Sequence, residues 1–264
     1  MKPMKKQRMT AQLILCSLLS PAAFAVDGVL EINQACAING GCFSGDAAGY
    51  PITINGSAGG SYRLTGNLIV PVDTNGIEVN APSISIDLNG FEIVRSGCEG
   101  ATSNCMPKSG SGSGVSVPDA AFYGVSVRNG SITGMGEWGA FLNGHQAEAK
   151  GLRVRWNRKD GIHTGHGSTI SGNLAYGNGD DGIFANPGST VSGNTSYSNG
   201  SDGIGALDGC LVQRNTVRSN QGYGLFLALD AAYRENVITG NTSGTVAFGF
   251  NMGSNFCETN DTCP

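Results

Sequence analysis

Seven residues within a short stretch carry most of the titratable variety of this chain: Arg158, Lys159, Asp160, His163, His166, Asp180 and Asp181. Gathered carboxylates repel one another unless something positive intervenes. Calcium is one candidate, held by Asp160, Asp180 and Asp181, because it takes several carboxylate and carbonyl oxygens in loose geometry. Arg158 and Lys159 are the other candidate. His163-x-x-His166 has the look of a metal pair, although strand alternation turns His163 outward and leaves His166 in the next turn, with no third ligand in view. Each Asp also precedes Gly in an Asn-Gly-x-Asp-Gly type of turn, where a carboxylate satisfies backbone donors. A structural role therefore stands beside the chemical one at every acid.

These residues belong to a repeat. Asp160-Gly161-Ile162, Asp181-Gly182-Ile183, Asp202-Gly203-Ile204 and Tyr223-Gly224-Leu225 recur every 21 residues. Asn173, Asn194, Asn215 and Asn236 keep the same step, as do Asn178, Asn199, Asn220 and Asn241. So does the apolar column Ile170, Val191, Val212 and Tyr233. Such a period, built of very short elements, predicts a solenoid whose coils stack and share one core. In the unit from Asp181 to Ser201, Ile183-Phe184-Ala185, Thr190-Val191-Ser192 and Thr195-Ser196-Tyr197 read as three strands separated by turns. The fold class expected is an all-β parallel helix with three short strands per coil. Stacked asparagine amides would saturate the buried turns. Upstream, Ile84 to Gly90 and Val125 to Gly130 each read as a strand running into an Asn-Gly turn.

The ends differ. Lys2, Lys5, Lys6 and Arg8 precede the apolar run from Ala11 to Leu19, and Ala23-Phe24-Ala25 offers a cleavage site. That is the pattern of a secretory leader over residues 1–25, cleaved after Ala25, with an apolar run too short to span a bilayer. Removing 25 of the 264 residues leaves 239, with 12 Lys+Arg against 20 Asp+Glu, a charge of about −8. That balance argues against nucleic acid as a partner, and no later stretch reads as a membrane span. The organisation expected is an N-terminal cap over 26–60, the repeat body over 61–253 with a loop at 96–118, and a C-terminal cap over 254–264. Cys36/Cys42, Cys98/Cys105 and Cys257/Cys263 read as local disulfides of a secreted or periplasmic protein. Cys210 shares its column with Ser168, Ser189 and Ala231 and reads as a small buried filler. The mature chain is expected to be a monomer.

The Asn-Gly-x-Asp-Gly-Ile phrase and the openings Ile86-Asp87-Leu88-Asn89-Gly90-Phe91 and Val127-Arg128-Asn129-Gly130-Ser131-Ile132 resemble the right-handed parallel β-helix repeats of the pectin-lyase-like superfamily. The resemblance covers roughly Ser61 to Gly253, and the chain as a whole is similar to exported bacterial β-helix proteins of unassigned activity. It implies a polysaccharide partner, lying along the outer face of the strand that opens each coil. A lyase, an epimerase or a glycoside hydrolase acting on an acidic glycan is one implied activity; a binding protein and a non-catalytic surface or adhesion protein are the others. For a lyase, Arg158 or Lys159 would be the base, with calcium on Asp180 and Asp181 as neutraliser; Asp181 and His163 complete the catalytic candidates. Gly179-Asp180-Asp181 and Gly165-His166-Gly167 resemble polygalacturonase motifs, but in the reverse order and without that family's other signatures. Arg155, Tyr176, Tyr197 and Arg218 share one outward column and would make a sugar platform, with Phe184 on the first face as a further contact.

Overall fold

The computed structural model describes residues 28–56, 60–258 and 263. The leader expected over 1–25 lies outside them. From Val29 onward the chain winds into a parallel solenoid of about ten coils. One strand per coil enters a nine-stranded sheet, here the front sheet. The other two enter a continuous 17-stranded sheet, the back sheet, which bends once within every coil.

The repeat explains the register. Ile162 pairs with Ile183, Ile183 with Ile204 and Ile204 with Leu225, each in a parallel ladder, and all four are fully buried. Ile170, Val191, Val212 and Tyr233 form the facing interior row from the back sheet. Period-2 alternation does the rest: in Thr195–Tyr197 only Ser196 is buried. Strands of three residues are unstable alone, so each coil depends on burial against the next. Ile204→Ala would leave a cavity between two intact coils. A loss of about 2–5 kcal/mol is expected, read as a lower urea midpoint at unchanged slope.

The corners are held by amides. Asn173, Asn194, Asn215 and Asn236 form one buried ladder and Asn157, Asn178, Asn199, Asn220 and Asn241 another; after the first member of each, which accepts from the Leu152 or Met135 N–H, every side-chain oxygen accepts from the asparagine one coil earlier. Ser168, Ser189, Cys210 and Ala231 share a third buried column, and burial pushes the free Cys210 thiol up from its usual range.

At the N-terminal end the helix Gln34–Asn39, capped by the Asn33 side chain, lays Ala37 against the core. All three expected disulfides are present: Cys36–Cys42, Cys98–Cys105 and Cys257–Cys263. The loop expected over 96–118 is shorter than that. Val115–Val117 is a front-sheet strand, because Val115 and Val117 are fully buried and pair with Ile77 and with Ala140–Leu142 on either side. The remaining loop lies along the turns that enter the front sheet. A Cβ on Gly179 would stand 3.0 Å from the Met106 sulfur, so the loop reaches the coil that carries Asp180 and Asp181.

Candidate functional site

The front sheet begins, coil after coil, with Trp138, Asp160, Asp181, Asp202 and Tyr223 in one column. Each backbone carbonyl accepts from the glycine after the preceding member. The acids therefore form a three-membered ladder bracketed by two aromatics. Asp160 Oδ1 accepts from the Asp181 N–H at 3.1 Å, Asp181 Oδ1 from the Asp202 N–H at 2.8 Å, and Asp202 Oδ1 from the Tyr223 N–H at 2.6 Å. Each carboxylate thus satisfies a backbone donor on the next coil, where the sequence pointed to donors of its own turn. The second oxygen of Asp160 accepts from Trp138 Nε1 at 3.2 Å and lies 2.9 Å from His163 Nδ1.

Burial and crowding act on these acids together. Asp181 is 8% exposed, and its carboxyl is pushed up to about 7 by burial first and then by the charge of Asp160; the Asp202 N–H and Ser201 oppose the shift only in part. Asp180 is raised by burial and by Asp160, against Ser201 and Lys159. Asp202 is raised by burial, against the Tyr223 N–H. A carboxyl that changes charge near neutrality can give and take a proton under ordinary conditions, which an unperturbed aspartate cannot.

The cations turn the other way. Lys159 Nζ lies 2.8 Å from Glu137 Oε1 and 3.7 Å above the Trp138 ring, and Arg158 Nε donates to Gly136 O at 2.6 Å. Both reach back to the preceding coil. Asp160, Asp180 and Asp181 do not make the expected calcium site. Both oxygens of Asp160 and one of Asp181 already hold hydrogen bonds, and the other Asp181 oxygen faces Gly205, where a Cβ would stand 2.8 Å away. Among the described residues no three His, Cys, Asp or Glu side chains are placed to hold a metal. His163 and His166 part company as alternation required: His163 faces outward on the sheet, and His166 sits in the next turn, its ring 4.9 Å from that of His145.

Beside the acids runs an aromatic row. Trp138 stacks on Phe141 at 4.4 Å, Phe141 meets His163 at 5.3 Å, and His163 stacks on Phe184 at 4.9 Å. Gly205 continues the column without a side chain, so the Phe184 ring leans over it, and Phe226 resumes beyond, well exposed. Sequence reasoning missed Trp138, Glu137 and Phe141. The signal was there: Glu137-Trp138-Gly139-Ala140 keeps the frame of Lys159-Asp160-Gly161-Ile162, but 22 residues earlier rather than 21.

The second column forms as expected, with Arg155, Tyr176, Tyr197 and Arg218 in register on the back sheet. Its rings are differently disposed from a platform. Tyr176 and Tyr197 lie parallel at 5.1 Å, Arg218 covers the free side of Tyr197, and Arg155 binds the Tyr176 hydroxyl, Thr133 and Glu92. The ring faces are occupied by one another, so edges and hydroxyls point to solvent.

These features together define a parallel solenoid carrying an aromatic and acidic outer face. Residues 113–261 match the model of the right handed beta helix region family, and the chain belongs to that family. No curated protein matches it by sequence. Among solved structures it is similar to the enzymatically active domain of bacteriophage CBA120 tailspike protein 2, at 13% identity and a TM-score of 0.53 over 76% of this chain. It spans about a third (34%) of that tailspike chain, and the likeness is one of fold. A mannuronan C-5 epimerase module of Azotobacter vinelandii aligns at 15% identity, TM-score 0.35, over 83% of this chain and 68% of its own. A periplasmic alginate epimerase aligns at 15% identity, TM-score 0.42, over 76% and 75%.

Proposed function

We propose that this protein binds a polysaccharide along the outer face of the front sheet, across the coils from Trp138 to Phe226, in an oxidising compartment. The observation that carries the reading is the aromatic row of Trp138, Phe141, His163 and Phe184 running beside the buried Asp181 carboxyl. Rings on an exposed strand face give apolar contact to sugar rings, and neighbouring acids and Lys159 give hydrogen bonds. If the bound chain is processed, Asp181 is the proton-transfer group, His163 its neighbour through Asp160, and Lys159 and Arg158 are binding groups. The carboxylate ladder repels polyanions, so the sugar suited to this face is neutral rather than acidic. The three disulfides support an extracellular or periplasmic setting. Among the described residues no helix is long and apolar enough to cross a membrane.

A second reading has its own support. Every acid of the ladder accepts from the backbone of the next coil, which suits a purely structural column on a binding or adhesion surface. A glycan array read for both retention and product formation separates the two. On the first reading Phe184→Ala weakens retention about tenfold, the loss of roughly 1.4 kcal/mol of contact. Asp181→Asn then abolishes product while retention survives. Retention without any product in the unaltered protein would leave binding with a purely structural acid column, and no retained neutral glycan would remove the binding face.

A further inference from the structure

A hollow also lies away from the acidic face. A groove of about 580 Å³ runs down the bend of the back sheet, floored by Gly151, Gly172 and Gly193 and flanked by Arg153 and Thr195. We propose that this groove is a second binding site, which takes an extended, acidic oligosaccharide lying along the solenoid axis. The inference does not depend on the front-face reading.

Charge is the first argument. Among the described residues every lysine and arginine that stands in a strand stands in the back sheet; the front sheet has none. The back-sheet strands also carry Glu31, Asp87, Glu92 and Glu148, and Arg63, Arg128 and Arg155 are paired with the first three of these, so what matters is which cations stay unpaired. Lys150 and Arg153 lie on the two banks of the bend within one strand, both exposed and neither held by an acid. Arg128, one coil earlier on the Lys150 bank, is paired with Asp87. The two free cations are therefore available to an incoming anion. Leu174 stands between Arg153 and Thr195 on the bank that lines the groove, and Lys150, Ser171 and Ser192 stand on the strands beyond the opposite edge.

The second argument is that the hollow is kept open. The bend position carries Asn129, Gly151, Gly172, Gly193, Arg214 and Glu235 in successive coils. All six share one left-handed conformation, φ between 57° and 66°. Asn129, Arg214 and Glu235 adopt it with side chains, so the backbone alone does not demand glycine here. A Cβ on Gly172 or Gly193 would meet nothing within 4 Å. Side chains return at Asn129, which itself lines the groove, and at the Arg214–Glu235 ion pair on the other side. Between them the chain presents three bare coils, about 14 Å at the spacing of parallel strands.

The test is a titration of the isotope-labelled full chain with hyaluronan and heparin oligosaccharides, with cellohexaose as the uncharged control. The amide resonances of Gly151, Gly172 and Gly193 are expected to shift with the acidic sugars only, and less at high salt. Gly172→Asn, which keeps the conformation Asn129 already holds, and Arg153→Glu should each weaken that binding about tenfold without lowering the melting temperature. Asp181→Asn should leave it unchanged. The proposal is overturned by the absence of any shift with the acidic oligosaccharides, by equal shifts with cellohexaose, by equal affinity for a single-stranded oligonucleotide, or by binding that survives Arg153→Glu.

Discussion

Asn194→Ala is expected to destabilise the protein by about 3–6 kcal/mol, more than any exposed substitution on the same coil. The Asn194 amide is 1% exposed and makes four hydrogen bonds: it accepts from the Asn173 N–H and the Asn173 side chain, and donates to Ile170 O and Asn215 Oδ1. Alanine removes all four and strands their partners on the two neighbouring coils. Each buried group left without a partner costs about 1–3 kcal/mol, and collapse of the corner or entry of a water recovers only part of that. The break also interrupts a chain of amides that polarise one another. Urea unfolding followed by circular dichroism measures the effect. A loss below about 1 kcal/mol would mean that the corners stand without the ladder and that coil stacking rests on the apolar rows alone.

Asp181→Asn should act in the opposite direction, stabilising the protein at pH 8 by about 2–4 kcal/mol. The folded carboxyl titrates at about 7 against 3.8 for an ordinary aspartate, so the folded state holds a proton that the unfolded state releases earlier. The sign follows. Stability from this group is complete below about pH 4, declines as pH rises toward 7, and is gone above it. That displacement corresponds to about 4 kcal/mol at most. Asparagine keeps an oxygen for the Asp202 N–H and has no charge to bury, so its melting temperature should vary less between pH 4 and 8. Asp180 and Asp202 are raised by the same burial and leave a residual slope of the same sign. An unchanged pH profile in the variant would show that Asp181 is ionised throughout the range. A stabilised protein that has lost glycan processing would identify a strained group retained for its chemistry.

The period made the architecture legible because a solenoid translates sequence distance into axial distance without remainder. Interior rows and corner ladders followed from phase, and the three disulfides from the close spacing of their cysteines. What phase could not supply was where a side chain goes after it leaves the backbone. Tyr176 and Tyr197 were assignable to one outward column, yet their rings, 5.1 Å apart, stack face to face and withdraw those faces from a ligand. Asp181 was visible as a turn residue, but its reach to the Asp202 N–H needed coordinates. Reading along the chain also hid partners that lie across it. His166 was weighed with His163 when its neighbour is His145, one repeat earlier. The single extra residue between Ala140 and Ile162 kept Trp138 out of the column it heads.

The disulfides carry a mechanical consequence. Each closes a stretch of six or seven residues, two at the ends of the described body and one inside the loop after Arg95, and none ties one coil to another. Covalent chemistry therefore locks the lids and leaves the barrel of the molecule free to unwind. Under tension, or when a terminal coil frays, the structure can peel open one layer at a time, much as a spring gives up its turns, with the middle layers last to go.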